Sequence, residues 1–130
     1  MQPVPVARWH RAVATNDLSA IEDLLADDAV FQSPAVHTPQ AGKALVAKYL
    51  RAAMAVLNND SFRYVGEWMA ERSAVLEFEL TIEGIYINGV DLIHWNDDGR
   101  ITQFKVMVRP LKGLNVVIPL MGQQLQSDRP

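Results

Sequence analysis

The sequence predicts an α+β fold, on three observations. Apolar residues recur at spacings of three and four through the first ~57 positions, switch to a period of two from Phe62, and return to helical spacing after Pro110. Three helices followed by an antiparallel meander and a terminal helix satisfy that order. The helices must cover one face of a strongly curved sheet, and the other face has to be accounted for separately.

Val6, Trp9 and Val13 define a short amphipathic helix over about residues 4–15. Asn16-Asp17 breaks it, and Asp17 is placed to cap a second helix through Ala26, with Leu18, Ile21, Leu24 and Leu25 inward. "AVFQS" (29–33) reads as a short strand, ended by Pro34 and a loop to Gly42. A longer helix follows over about 43–57, with Val46, Tyr49, Leu50, Ala53, Met54 and Leu57 on one face and Asn58-Asn59-Asp60 closing it. A strand over 62–69 leads through A-E-R-S into "AVLEFELTIE", where Leu76, Phe78, Leu80 and Ile82 alternate with Glu77, Glu79, Thr81 and Glu83. A strand over about 85–96 turns at "NDDG", where Gly99 can take φ > 0, into a strand over 100–109 ended by Pro110. Leu114, Val117, Met121 and Leu125 have helical spacing, but Pro119 interrupts them. The expectation is an irregular lead-in, a helix starting near the proline, and fraying over QSDRP.

The 130 residues, 49% hydrophobic and 21% charged, fit one globular domain spanning 1–130 with a substantial core. A net charge of −3 and scattered Lys and Arg argue against a nucleic-acid partner. The absence of cysteine excludes disulfide and thiolate chemistry. The N-terminus has no apolar core of a secretory signal, and no stretch approaches the ~20 apolar residues of a membrane span. The expected setting is cytoplasmic. His10, His37 and His94 lie on a helix, a loop and a strand without metal-ligand spacing, so neither metal nor cofactor is expected.

One residue breaks the strand pattern. Asp91 stands between Val90 and Leu92 in a run that should be buried, and burying a carboxylate costs several kcal/mol unless it is paired or protonated. With Asp97-Asp98 at the hairpin tip, Asn96 faces Gly99, Trp95 faces Arg100, Ile93 faces Thr102 and Asp91 faces Phe104. Directly opposed residues share a face, so Asp91, Ile93, Phe104, Val106 and Val108 point inward. Gln103, Lys105, Met107 and Arg109 point outward with Leu92 and His94. Three roles are open to Asp91: a hydrogen-bonded structural residue, the polar contact of a ligand, or a catalytic acid or base with a raised pKa. The outer face, with Met and Leu among charges of both signs, suits a homodimer interface.

"NDLSAIEDLLADDAVFQSP" after the first helix and "GVDLIHWNDDGRITQF" near the end resemble the nuclear transport factor 2-like superfamily, in its ketosteroid-isomerase and SnoaL-like branches. The resemblance covers nearly the whole chain. It implies a cone, also called a cystatin-like α+β roll: a curved, mostly antiparallel sheet wrapped around the N-terminal helices, with a pocket between them. It also implies dimers formed through the outer sheet face. Asp91, eight residues before Gly99, matches the protonated aspartic acid of the ketosteroid-isomerase oxyanion hole, which stays neutral in an apolar site. Two other residues of that pattern are replaced: Trp9 stands for the helical tyrosine, and Ser33 for the general-base aspartate. A ketosteroid isomerase is therefore not expected.

In such a cone the aromatic and apolar set supplies the wall of a pocket for a hydrophobic cyclic or aromatic molecule. Trp9, Phe31 and Ser33 come from the first half, Tyr49 and Met54 from the third helix, and Tyr64, Phe78, Leu80, Ile93, Phe104 and Val106 from the sheet. Trp9 is the candidate hydrogen-bond partner of Asp91, because a buried indole N–H needs an acceptor. The alternatives to a binding protein are an isomerase, cyclase or hydratase using Asp91 as general acid/base, assisted by Ser33, Trp9 or Tyr64, and an interaction domain without a ligand.

Overall fold

The computed structural model describes residues 2–127. Two helices, α1 (Val4–Thr15) and α2 (Leu18–Leu24), are followed by strands β1 (Leu25–Gln32) and β2 (Gln40–Ala41) and then by α3 (Lys43–Leu57). The meander β3 (Arg63–Met69), β4 (Ser73–Ile82), β5 (Ile85–Trp95) and β6 (Ile101–Arg109) follows, and α4 (Leu111–Ser127) closes the chain. The six strands form one curved, unclosed sheet in the order β2-β1-β6-β5-β4-β3. Only the β1–β6 pair is parallel, as expected of a mostly antiparallel α+β roll.

The two periods of the sequence build the core. Val6, Trp9, Ala12 and Val13 of α1 and Val46, Ala47, Leu50 and Met54 of α3 are buried against Leu76, Phe78 and Leu80 of β4 and Ile87 and Ile93 of β5. Asp17 caps α2 as expected, its carboxylate accepting from the Ala20 N–H at 3.1 Å.

Three expectations are corrected. The second helix stops at Leu24, and β1 begins at once, because Leu25 pairs with Ile101 across the parallel ladder. Leu25 is fully buried, and the exposed Asp27-Asp28 that follow fall in an irregularity of that ladder. The hairpin register differs by two residues, Asp91 pairing with Val106 and Ile93 with Phe104: one residue enters at the turn, where Trp95 pairs with Ile101 instead of Arg100, and one at the irregularity between His94 and Trp95. Beyond the irregularity the even offset leaves Asp91, Ile93, Phe104, Val106 and Val108 on their expected face. Gly99 does take a positive φ, +78°, and the Asn96 side chain accepts from the N–H groups of Asp98 and Arg100.

The irregular lead-in before Pro119 is absent: α4 is helical from Leu111, with Pro119 inside it. Tertiary packing explains the difference. A Cβ on Gly113 would lie 3.0 Å from Ile87 Cγ1 and 3.3 Å from the Tyr86 carbonyl, so the first turn of α4 sits directly on β5. Gln126 and Ser127 belong to this helix, and the remainder of QSDRP lies outside the described residues. Among the described residues no helix is long and apolar enough to cross a membrane.

Candidate functional site

Between the concave sheet face, α1, α3 and α4 lies a cavity of about 230 Å³. Its wall is largely aromatic. Trp9 packs on Phe104 with ring centroids 4.8 Å apart, Phe31 lies 5.5 Å from Tyr49, and Phe62 stacks on Phe78 at 5.4 Å. Asp91 is the only Asp, Glu, Lys, Arg or His among the lining residues.

The strand and helix periods bring three polar groups together. Tyr64, on the inward face of β3, donates its hydroxyl proton to Asp91 Oδ2 at 2.6 Å. Trp9 of α1 donates its indole N–H to the Tyr64 hydroxyl oxygen at 2.8 Å. An indole nitrogen only donates, so the direction of this chain is fixed: Trp9 to Tyr64 to Asp91. The expected direct bond from Trp9 to Asp91 is thereby corrected, because Tyr64 stands between them. The single Tyr64 proton is committed to Asp91, so the other carboxyl oxygen, Oδ1, is the polar atom left for the cavity. Asp91 itself lines the cavity, and no buried side-chain oxygen or nitrogen lacks a partner among the described residues.

Electrostatics follow from burial. Removal from water pushes the Asp91 carboxyl up to about 7, against the opposing hydrogen bond from Tyr64. Burial, and then the adjoining Asp91 charge, hold the Tyr64 hydroxyl well above the ordinary tyrosine range, so it stays a donor. Below neutrality Asp91 is therefore a neutral acid that can donate from Oδ1 to a carbonyl. Above it, the carboxylate accepts.

Tyr64→Phe tests this chain. It leaves the Trp9 N–H and Asp91 Oδ2 without partners, at about 1–3 kcal/mol each for a group that stays buried and dry. The expected result is a protein about 2 kcal/mol less stable at about pH 5, with the Asp91 carboxyl titrating above its wild-type value. Unchanged titration in a carboxyl-carbon NMR series would refute the relay.

Of the expected wall, Trp9, Phe31, Ser33, Tyr49, Met54, Tyr64, Phe78, Phe104 and Val106 line the cavity with Asp91. Leu80 and Ile93 do not: both face inward but are packed into the main core, where Leu80 pairs with Ile87 and Ile93 with Phe104. Ser33 Oγ accepts from the Ala35 N–H at 3.0 Å. His37 and His94 are exposed, and His10 pairs with Glu67 while its ring meets the Tyr64 ring edge-on at 4.8 Å. No group of side chains suited to holding a metal occurs among the described residues.

Sequence reasoning missed the α4 wall, Val117, Ile118, Met121 and Leu125. The signal was present in the spacing of Val117, Met121 and Leu125, but nothing local says which groove a terminal helix covers.

Comparison with known proteins agrees with this fold. The family model described as SnoaL-like domain matches residues 6–104. No curated protein matches. Among solved structures, a steroid delta-isomerase from Pseudomonas aeruginosa is 41% identical, with 95% of this chain and 90% of that one covered and a TM-score of 0.89. A protein conserved in bacteria with a cystatin-like fold, from Silicibacter pomeroyi, is 31% identical over 96% of this chain and 87% of that one, with a TM-score of 0.88. The epoxide hydrolase/cyclase-like enzyme SalBIII shares the fold at 18% identity, covering 82% of this chain and 89% of that one, with a TM-score of 0.65. On the family match and these neighbours, the chain belongs to the SnoaL-like family of the nuclear transport factor 2-like, cystatin-like fold.

Proposed function

We propose that this protein binds a small, neutral, mostly apolar cyclic or aromatic molecule in the cavity, with Asp91 as its main polar contact. The observation that carries the reading is a lone carboxyl, backed by a fixed donor chain, in an otherwise apolar aromatic space. An anionic ligand would meet Asp91 with no cation beside it. A ligand carbonyl or hydroxyl would meet a group able to donate or accept. At about 230 Å³ the cavity lies below the ~300 Å³ at which drug-sized pockets begin, so it encloses one or two rings and leaves a larger ring system protruding from the mouth.

The test compares testosterone, a 4-ene-3-ketosteroid, with the two-ring 2-naphthol, by calorimetry at about pH 5.5 and about pH 8.5, either side of the Asp91 titration. Saturable binding of at least one, with the ketone bound more tightly at the lower pH, is expected. Failure of both probes to saturate would sink the reading.

A second reading is favoured by the Asp91 value near 7, which suits proton transfer, and by the name of the 41% identical relative. An isomerase of this kind would use Asp91 as its acid/base group with Tyr64 holding it. Against it stands the lack of a second carboxylate in the wall, with Ser33 where the family resemblance puts a base. Double-bond migration in a 5-ene-3-ketosteroid, followed by enone absorbance and abolished in Asp91→Asn, would establish catalysis over simple binding.

The outer sheet face is proposed to carry a second copy of the chain. Trp68 is 58% exposed and Met107 51%, on a face that also bears Val75, Val90 and Leu92. Lys105 and Arg109 share it with Glu77 and Glu79, so a two-fold arrangement can oppose unlike charges. Light scattering should report a dimer for the wild type and a monomer for Met107→Glu; a monomeric wild type at about 100 μM, a concentration where stable interfaces persist, would remove the proposal.

A further inference from the structure

A second, polar cleft adjoins the cavity. It is lined by His10, Asn16, Asn59, Asp60 and Arg63, and it shares Val13, Asn58, Phe62 and Tyr64 with the apolar cavity. Those four residues are therefore the wall between the two spaces. One hydrogen bond ties the wall together: the Asn58 amide, just past α3, donates to the Val13 carbonyl at the end of α1 at 3.0 Å. The Val13 carbonyl also accepts from the Asn16 N–H at 3.2 Å, so it keeps a partner when Asn58 swings away. Asn58, partly exposed, can hydrogen-bond to water in the cleft instead. Breaking this latch leaves no buried polar group unsatisfied, which is the condition for an inexpensive opening.

The mouth of the cavity is elsewhere. Its exposed lining residues are Ala35, Val36, 45% exposed, Ile118, 41% exposed, and Gly122, on the 33–36 segment and α4. With a ligand seated there, any exchange of protons between the Trp9–Tyr64–Asp91 chain and solvent needs another route. Tyr64 lines both spaces.

We propose that the polar cleft is a second entrance, a water and proton port to the Tyr64–Asp91 pair, gated by Asn58 and Phe62. This rests on the reading that a ligand occupies the cavity, but the port itself is testable without one. The groups facing the pair are Trp9 within the cavity and, behind the Tyr64 ring, His10 with its partner Glu67; Asp60 and Arg63 flank the cleft.

The chain contains no cysteine, so Val36→Cys accepts a single bulky maleimide, N-(1-pyrenyl)maleimide, that plugs the mouth. Exchange of the Trp9 indole proton with solvent is then followed by NMR in the plugged protein, with the buried Trp95 indole as the control for overall loosening. Exchange within about threefold of the unplugged rate is expected. Adding Ala14→Tyr, at an exposed position lining the cleft, should slow it at least tenfold, and adding Asn58→Ala should speed it while Trp95 stays unchanged. Exchange stopped by the plug alone, or indifferent to Ala14→Tyr, overturns the port. Because no ligand is used, failure of testosterone and 2-naphthol to bind is a separate result.

Discussion

Replacing Asp91 by asparagine will make the protein more stable than the wild type above neutral pH and will erase most of its loss of stability between about pH 4 and pH 8. The carboxyl moves from an ordinary 3.8 to about 7 on folding, through burial. Between those values the native state holds a proton that the unfolded chain has released, so stability falls as pH rises. The favourable contribution is complete below the unfolded value and is lost as pH passes through 7. Each unit between the two values is worth about 1.4 kcal/mol, giving about 4 kcal/mol in all. Asparagine keeps an oxygen to accept from Tyr64 and has no charge to desolvate. Urea unfolding at about pH 5 and about pH 9, chosen to bracket the titration, checks this. Parallel wild-type and variant stabilities at the two values would show that Asp91 is not held near 7.

Such a sign has a functional meaning. At this position an amide satisfies the same hydrogen bond at lower cost in neutral solution, yet the chain carries an acid. A group that destabilises the native state where a neutral isostere would not is accounted for by what it does to a ligand. Asp91→Asn, whose amide N–H group takes the Oδ1 position and donates at every pH, is accordingly expected to bind testosterone with the same affinity at about pH 5.5 and about pH 8.5, where the wild type loses affinity as Asp91 ionises.

The sequence carried the parts of this site that depend on period and parity. Alternation in β4 and hairpin counting put Phe78 and Asp91 on the concave face, and a two-residue error in register did not move them, because parity survives an even offset. Helical spacing likewise placed Trp9, Tyr49 and Met54. The parts that depend on distance in the chain were not legible. Tyr64 and Asp91 are joined across β4, and Trp9 reaches Tyr64 from 55 positions away. No local pattern says that Tyr64 rather than Trp9 holds the carboxyl. Pro119 misled for a related reason: a proline in a helix costs a hydrogen bond locally, and the packing of α4 on β5 and α3 outweighs it.

Gly89→Ala will be among the most damaging single-methyl changes in the protein. Gly89 lies on the concave face of β5, between Phe78 of β4 and Val108 of β6. A Cβ there would stand 2.5 Å from the Met107 carbonyl oxygen and 2.5 Å from Phe78 Cζ. The carbonyl belongs to the β5–β6 ladder and cannot retreat without breaking it. The Phe78 ring can retreat only into the cavity, where it already stacks on Phe62. Glycine normally weakens a strand, so its presence at this point marks the close approach that lets Phe78 lie flat along the cavity floor. Overpacking of this kind costs about 1–3 kcal/mol, and two simultaneous collisions, one with backbone, put the expected loss at about 3 kcal/mol. In a chain of this length that lowers Tm by roughly 10 °C. The same methyl at Gly122 meets nothing within 4 Å and sits inside a helix, so Gly122→Ala should raise stability by about 0.5–1 kcal/mol. Calorimetric melting of the two variants side by side therefore separates them by sign. A Gly89→Ala protein that melts with the wild type and keeps its affinity for 2-naphthol would mean that Phe78 is not held where the cavity requires it.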